Sequence, residues 1–182
     1  LFPKREEGAE DLLREADTAM YRAKDLGRNR IRFYETAMQS DVQERLALEQ
    51  DLKKAHAEGQ LAVFVQNQVD AAGNVVELLM RWTHPERGNV PPSRFIPIAE
   101  ASGLILRMGD WMIQQACETL ARLQAEGRAL SLSVNVSERQ FRQDDFVERV
   151  RHILAHTGAN PAHLILEVTE SLLIENLEDT IA

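Results

Sequence analysis

Three stretches of the chain alternate with a two-residue period, and each splits into two unlike faces. In Glu77 to Trp82, one side carries Leu78, Met80 and Trp82, and the other carries Glu77, Leu79 and Arg81. In Leu130 to Ser137, Leu130, Leu132, Val134 and Val136 oppose Ser131, Ser133, Asn135 and Ser137. In Leu164 to Glu170, Leu164, Leu166 and Val168 oppose Ile165, Glu167 and Thr169. Two amphipathic helical stretches separate these strands. Asp110 to Gln124 turns Ile113, Ala116, Cys117, Leu120 and Leu123 inward, and Asp144 to His156 turns Phe146, Val150, Ile153 and Leu154 inward. Gly127 and Gly158 close them. Strands spaced by helices of this length pair in parallel through right-handed crossovers. The pattern predicts an α/β fold.

The first strand of this region breaks the rule. Leu61 to Val69 and Val75 to Trp82 flank the turn Ala71-Ala72-Gly73-Asn74, which predicts an antiparallel hairpin. Residues 85–92 read as a loop, and Pro97 as the start of a short helix running to Gly103. Upstream, residues 9–27 are helical, with Leu12, Ala16, Ala19, Met20 and Ala23 as the inner face, and Ile31 to Tyr34 alternate like a short strand. Residues 36–58 form a polar helix with a narrow stripe of Leu48, Leu52 and Ala55. Such a helix connects domains or lies on the surface of one. The expected division is 1–35, a linker at 36–60, and 61–182. Leu1-Phe2-Pro3 resembles the end of a strand, and Asn176 to Ala182 a helix barely begun. Both ends are expected to continue in a longer protein.

The formal charge is −8, with no basic stripe, so the net field repels a nucleic acid polymer. A single cysteine, Cys117, rules out an intrachain disulfide and argues against a cysteine-based zinc site. No apolar run reaches the roughly 18–20 residues needed to cross a bilayer. The segment is expected to be cytoplasmic, without direct membrane contact. An inner-membrane anchor elsewhere in a parent protein is compatible with that.

The apolar strand faces suit packing against helices. The opposite faces gather Glu77, Asn135 and Glu167 near strand ends, where β/α barrels bind ligands. All three are oxygen donors, which suits Mg²⁺ or Mn²⁺ better than zinc. Three separate buried hydrogen bonds would give the same pattern. His152 and His156 share a helix face without an evident third ligand, His84 reads as structural, and Cys117 reads as core.

Ala16 to Lys24, followed by Gly27-Arg28-Asn29-Arg30, resembles the last helix and turn of GGDEF diguanylate cyclase domains. The GGDEF signature itself is absent, so Lys24 and Arg28, which match phosphate-contacting positions, are expected to be solvated cations here. From about residue 41 the chain resembles EAL domains. The resemblance is carried, in the family's order, by Gln66-Asn67-Gln68-Val69-Asp70, Glu77 to Pro85, Phe95 to Glu100, Ser133-Val134-Asn135-Val136-Ser137 and Leu166 to Ser171.

That resemblance implies part of a (β/α)₈ barrel with an antiparallel first strand. It implies hydrolysis of cyclic di-GMP to pGpG at a two-metal Mg²⁺ or Mn²⁺ site lying partly outside this chain, in a homodimer formed through the EAL domain. Glu77, Asn135 and Glu167 match metal ligands. Glu77, Glu167 and Glu170 match catalytic positions, Glu170 by supporting a nearby loop. Gln66, Leu79 and Arg81 match substrate contacts. A non-catalytic cyclic-di-GMP receptor is the alternative.

The sequence departs from the family in four places. The later Asp-Asp, Lys, Glu and Gln positions are not present. The signature reads Glu77-Leu78-Leu79 rather than Glu-Ala-Leu, and Asn67 stands where the family has Pro. Two residues usual before Glu77 are missing, a loss that preserves strand parity.

Overall fold

The computed structural model describes residues 8–25, 31, 33–34, 36–68 and 75–168. The chain divides into two compact units, Leu1–Gln50 and Asp51–Ala182. No helix of the described residues is long and apolar enough to cross a membrane.

In the first unit, α1 runs Ala9–Asp25. Of its expected inner face Ala19 is buried, whereas Ala16 and Met20 are exposed. An apolar stripe is covered only where another element packs on it. Ile31, Phe33 and Tyr34 are not in a strand, contrary to their alternation. A strand needs a neighbouring strand for its backbone groups, and the sheet of the described residues does not include Ile31, Phe33 or Tyr34. Helix α2, Thr36–Ala55, crosses the boundary between the units, and its stripe of Leu48, Leu52 and Ala55 is buried.

The second unit is built on a mixed sheet. Its strands are β1 (Leu61–Gln68), β2 (Val75–His84), β3 (Gly88–Val90), β4 (Ser131–Asn135) and β5 (Leu164–Glu167). Their order is β1-β2-β4-β5, with β3 paired to β2. Strands β1 and β2 are antiparallel, Gln66 lying opposite Glu77, while β2–β4 and β4–β5 are parallel. The predicted antiparallel start and parallel continuation are both present.

Among its described residues the unit also has helices α3 (Pro92–Ser102), α4 (Leu104–Ala125), α5 (Glu138–Phe141) and α6 (Phe146–Thr157), with a 3₁₀ turn at Pro161–His163. Two expectations need correction here. The loop at 85–92 contains β3, because the turn after His84 folds the chain back on β2. Helix α3 starts at Pro92, not Pro97, and Pro97 lies inside it. A proline at the first helical position loses no intrahelical bond, so Pro92 is the better start. Burial of Phe95, Ile98 and Ala99 holds the helix through Pro97.

The core lies between the apolar faces of β2 and β4 and helices α4 and α6. Leu78, Leu132, Val134 and Val136 pack there with Met112, Ile113, Ala116, Leu120 and Phe146. His84 is buried at the end of β2. Its Nδ1 accepts the Glu86 and Arg87 amides, each at 3.1 Å, so its Nε2 is left to face the Asp51 carboxylate at 3.1 Å. That arrangement is a structural tie between the β2–β3 turn and the end of α2.

Cys117 is fully buried in this core. Burial pushes its thiol from 9.0 up to about 11, with Glu118 adding to the rise and the Thr157 hydroxyl opposing it. The raised value favours the neutral thiol in the folded chain. Its contribution to stability is therefore complete below about pH 9 and is lost as pH rises through about 11. At pH 8 a thiol-specific reagent should modify the folded protein at least about 100-fold more slowly than the urea-unfolded one, since two pKa units cost about that much thiolate. Equal rates would place the thiol outside the core.

Candidate functional site

Strand pairing brings separate sequence segments onto one polar face. Gln66, Glu77, Ser133 and Ile165 occupy one row across β1, β2, β4 and β5. One step toward the strand ends, Asn135 lies beside Glu167. The Asn135 side-chain amide donates to Glu77 Oε1 at 2.6 Å. Asn135 and Glu167 are the last residues of β4 and β5 and lie opposite one another at the carboxyl ends of these parallel strands.

An open cavity of about 410 Å³ lies at these ends. Leu79, Arg81, Asn135, Ser137, Gln140 and Glu167 are part of its wall, while Gln66 and Glu77 sit one row deeper in the sheet, outside it. Gln66 is exposed on β1 and Leu79 is half-buried. The Arg81 guanidinium donates to the Met80 carbonyl at 2.9 Å and lies 5.9 Å from the centre of the Phe64 ring. That stacking favours an outstretched cation. Glu170 lies outside the described residues.

Ser133 is 0% exposed, and its hydroxyl finds no hydrogen-bond partner among the described residues. A buried hydroxyl without a partner costs free energy. Glu77, Asn135 and Glu167 supply two carboxylates and an amide, a hard oxygen set that fits Mg²⁺ or Mn²⁺. No three His, Cys, Asp or Glu side chains among the described residues come together to hold a metal.

A larger cleft, about 610 Å³, opens on the helical side between α4 and α6. It is lined by residues such as Arg107, Trp111, Glu148 and His152, and none of the strand-end residues reaches it. His152 and His156 stack at 6.4 Å on the exposed face of α6.

A model of the EAL domain matches residues 49–182. The chain belongs to the EAL domain family. The chain is 38% identical over 182 residues to the bifunctional diguanylate cyclase/cyclic di-GMP phosphodiesterase MucR of Pseudomonas aeruginosa, covering 98% of this chain and 27% of that protein. It is 36% identical over 180 residues to the cyclic di-GMP phosphodiesterase PdeR of Escherichia coli, covering 98% of this chain and 27% of that protein. The chain thus spans about a quarter of the length of these relatives. A solved structure, the PaMucR phosphodiesterase in complex with c-di-GMP, superposes with a TM-score of 0.70 at 36% identity, over 73% of this chain and 56% of that one. The mixed sheet is thus the opening part of an EAL barrel, with the family's antiparallel first strand.

Strand periodicity marks the polar face of this EAL sheet, but three features lie beyond it. The burial of Ser133 and of Gln140 depends on contacts across the fold, and the short helix α5 is a third. A local signal existed for α5: Ser137-Glu138-Arg139-Gln140 has the spacing of a helix-capping box, and Ser137 Oγ accepts from the Gln140 amide at 3.2 Å.

Proposed function

We propose that this chain supplies the first part of the active site of a cyclic-di-GMP phosphodiesterase, which hydrolyses the cyclic dinucleotide to pGpG with divalent metal ions. The observation that carries the reading is that Asn135 bonds Glu77 across the sheet and lies opposite Glu167 in the parallel pairing of β4 with β5. The printed names of MucR and PdeR support the substrate.

Glu77, Asn135 and Glu167 would hold the metal, and Glu170 would support a nearby active-site loop. Bound there, divalent ions supply positive charge beside the phosphodiester and make a nearby water a stronger nucleophile. Arg81 provides a planar set of donors for a phosphate oxygen. Leu79 gives an apolar wall at the cavity, and Gln66 a hydrogen-bonding group on the adjoining strand. Asn135 donates to Glu77 and so orients that carboxylate before any ligand arrives.

Residues 1–35 are proposed as the tail of a GGDEF domain, a reading supported by the match to MucR over 98% of this chain. A cytoplasmic location fits a nucleotide second messenger. Dimerisation through the EAL domain belongs to the same reading.

The deciding experiment is turnover by the protein carrying its complete EAL domain, with Mg²⁺ or Mn²⁺ present. Release of pGpG, abolished by a chelator and restored by added metal, is expected. Tight binding of cyclic di-GMP without any release would overturn the enzyme in favour of a receptor.

A further inference from the structure

We propose that Gln140 is a positioning residue for this site, holding the turn after Asn135 against helix α4. The proposal rests on the metal-dependent reading above and adds a residue to it. Gln140 belongs to α5, which begins three residues beyond Asn135. It is only 1% exposed, yet it borders the strand-end cavity.

A polar side chain buried this deeply is costly unless it is bonded. Gln140 Nε2 donates to Asp110 Oδ1 at 3.1 Å, on α4. The other oxygen of Asp110 pairs with Arg149 Nε at 3.4 Å, and Arg149 Nη1 reaches Asp145 at 2.8 Å. One polar chain therefore ties α5, α4 and α6 together.

Gly109 makes the approach possible. A Cβ there would lie 2.1 Å from Gln140 Oε1 and 2.5 Å from its Cδ. Glycine inside a helix costs about 0.5–1 kcal/mol relative to alanine. Gly109 is in helical, not left-handed, backbone, so close approach by Gln140 is the physical reason for it. A leucine or methionine would fill a hole of similar size, but neither could bond Asp110.

The adjacent residue grips a second helix. The Arg139 guanidinium donates to the Glu100 carbonyl and to the Ala101 carbonyl, the latter at 3.4 Å, at the C-terminus of α3. Gly103, at φ 79°, ends α3 and leaves room for it. The turn is thus fixed at two consecutive residues onto two helices. Asn135 leads directly into that turn, so its amide is held against Glu77 and beside Glu167.

The test uses Mn²⁺ alone, titrated calorimetrically into the protein with its complete EAL domain. Gln140→Met is expected to weaken Mn²⁺ binding roughly 10–100-fold, the usual effect of removing a group that orients a ligand. The thermal midpoint of the metal-free protein should change little. Asp110→Asn keeps an acceptor for Gln140 and should bind Mn²⁺ like the parent, whereas Asp110→Leu should reproduce the loss. Parent-like Mn²⁺ affinity in Gln140→Met, alongside a lost affinity in Glu77→Gln, would overturn the proposal and leave the metal site standing. Parent-like affinity in Glu77→Gln would instead overturn the metal site itself. Should Gln140→Met not fold, equal affinities in Asp110→Asn and Asp110→Leu would refute the positioning role.

Discussion

Glu77→Gln should reduce cyclic-di-GMP hydrolysis by at least about 100-fold while leaving the fold intact. The magnitude follows from comparison. Removing a group that merely orients a metal ligand costs roughly 10–100-fold, and Glu77 is proposed to be a ligand itself. Glutamine matches glutamate in shape, and Glu77 is half-buried in a strand paired on both sides. The backbone ladder is therefore untouched. The substitution removes one negative charge and leaves an oxygen that Asn135 can still meet. A steady-state assay with Mn²⁺ in excess, together with a circular dichroism spectrum, separates the two effects. Undiminished turnover would remove Glu77 from the site, and with it the reason for its bond to Asn135.

The second large effect is on stability. Trp82 is fully buried on the face of β2 opposite Glu77. Its ring meets Phe95 edge-on at 5.9 Å and His84 at 5.7 Å, and its Nε1 donates to Gln60 Oε1 at 3.0 Å. Trp82→Ala is expected to destabilise the unit by about 3–5 kcal/mol. Domains of this kind have about 5–15 kcal/mol in all, so a large share of the stability would go. The cost has two parts: the ring leaves a cavity beside Phe95, and Gln60 loses its donor. Urea unfolding followed by circular dichroism measures it. A change below about 1 kcal/mol would mean that α3 collapses into the space.

The two substitutions act on opposite faces of one strand, and that separation was visible before any contact was known. A strand's period of two assigns Leu78 and Trp82 to one side and Glu77 and Arg81 to the other, regardless of what packs on them. The same rule marked Asn135 and Glu167. It could not say that they meet. Their sequence positions are separated by α6, and only parallel pairing of β4 with β5 puts them side by side. Strand β3 and the true start of α3 were missed for a related reason. Three residues carry too little periodicity to announce a strand, and two nearby prolines offer two possible helix starts until burial chooses between them.

Residue order and spacing carry the family, the split strand faces, the antiparallel hairpin followed by parallel strands, and the oxygen donors of the candidate site. These are local properties, encoded in spacing and residue type. The tertiary structure alone decided that Asn135 bonds Glu77, that the Ser133 hydroxyl is buried, and that Gly109 is a glycine because Gln140 comes so close. Each of these is a contact between residues about 30 to 60 positions apart, or the burial such contacts produce, and no periodicity along the chain records which distant side chain will fill a given space.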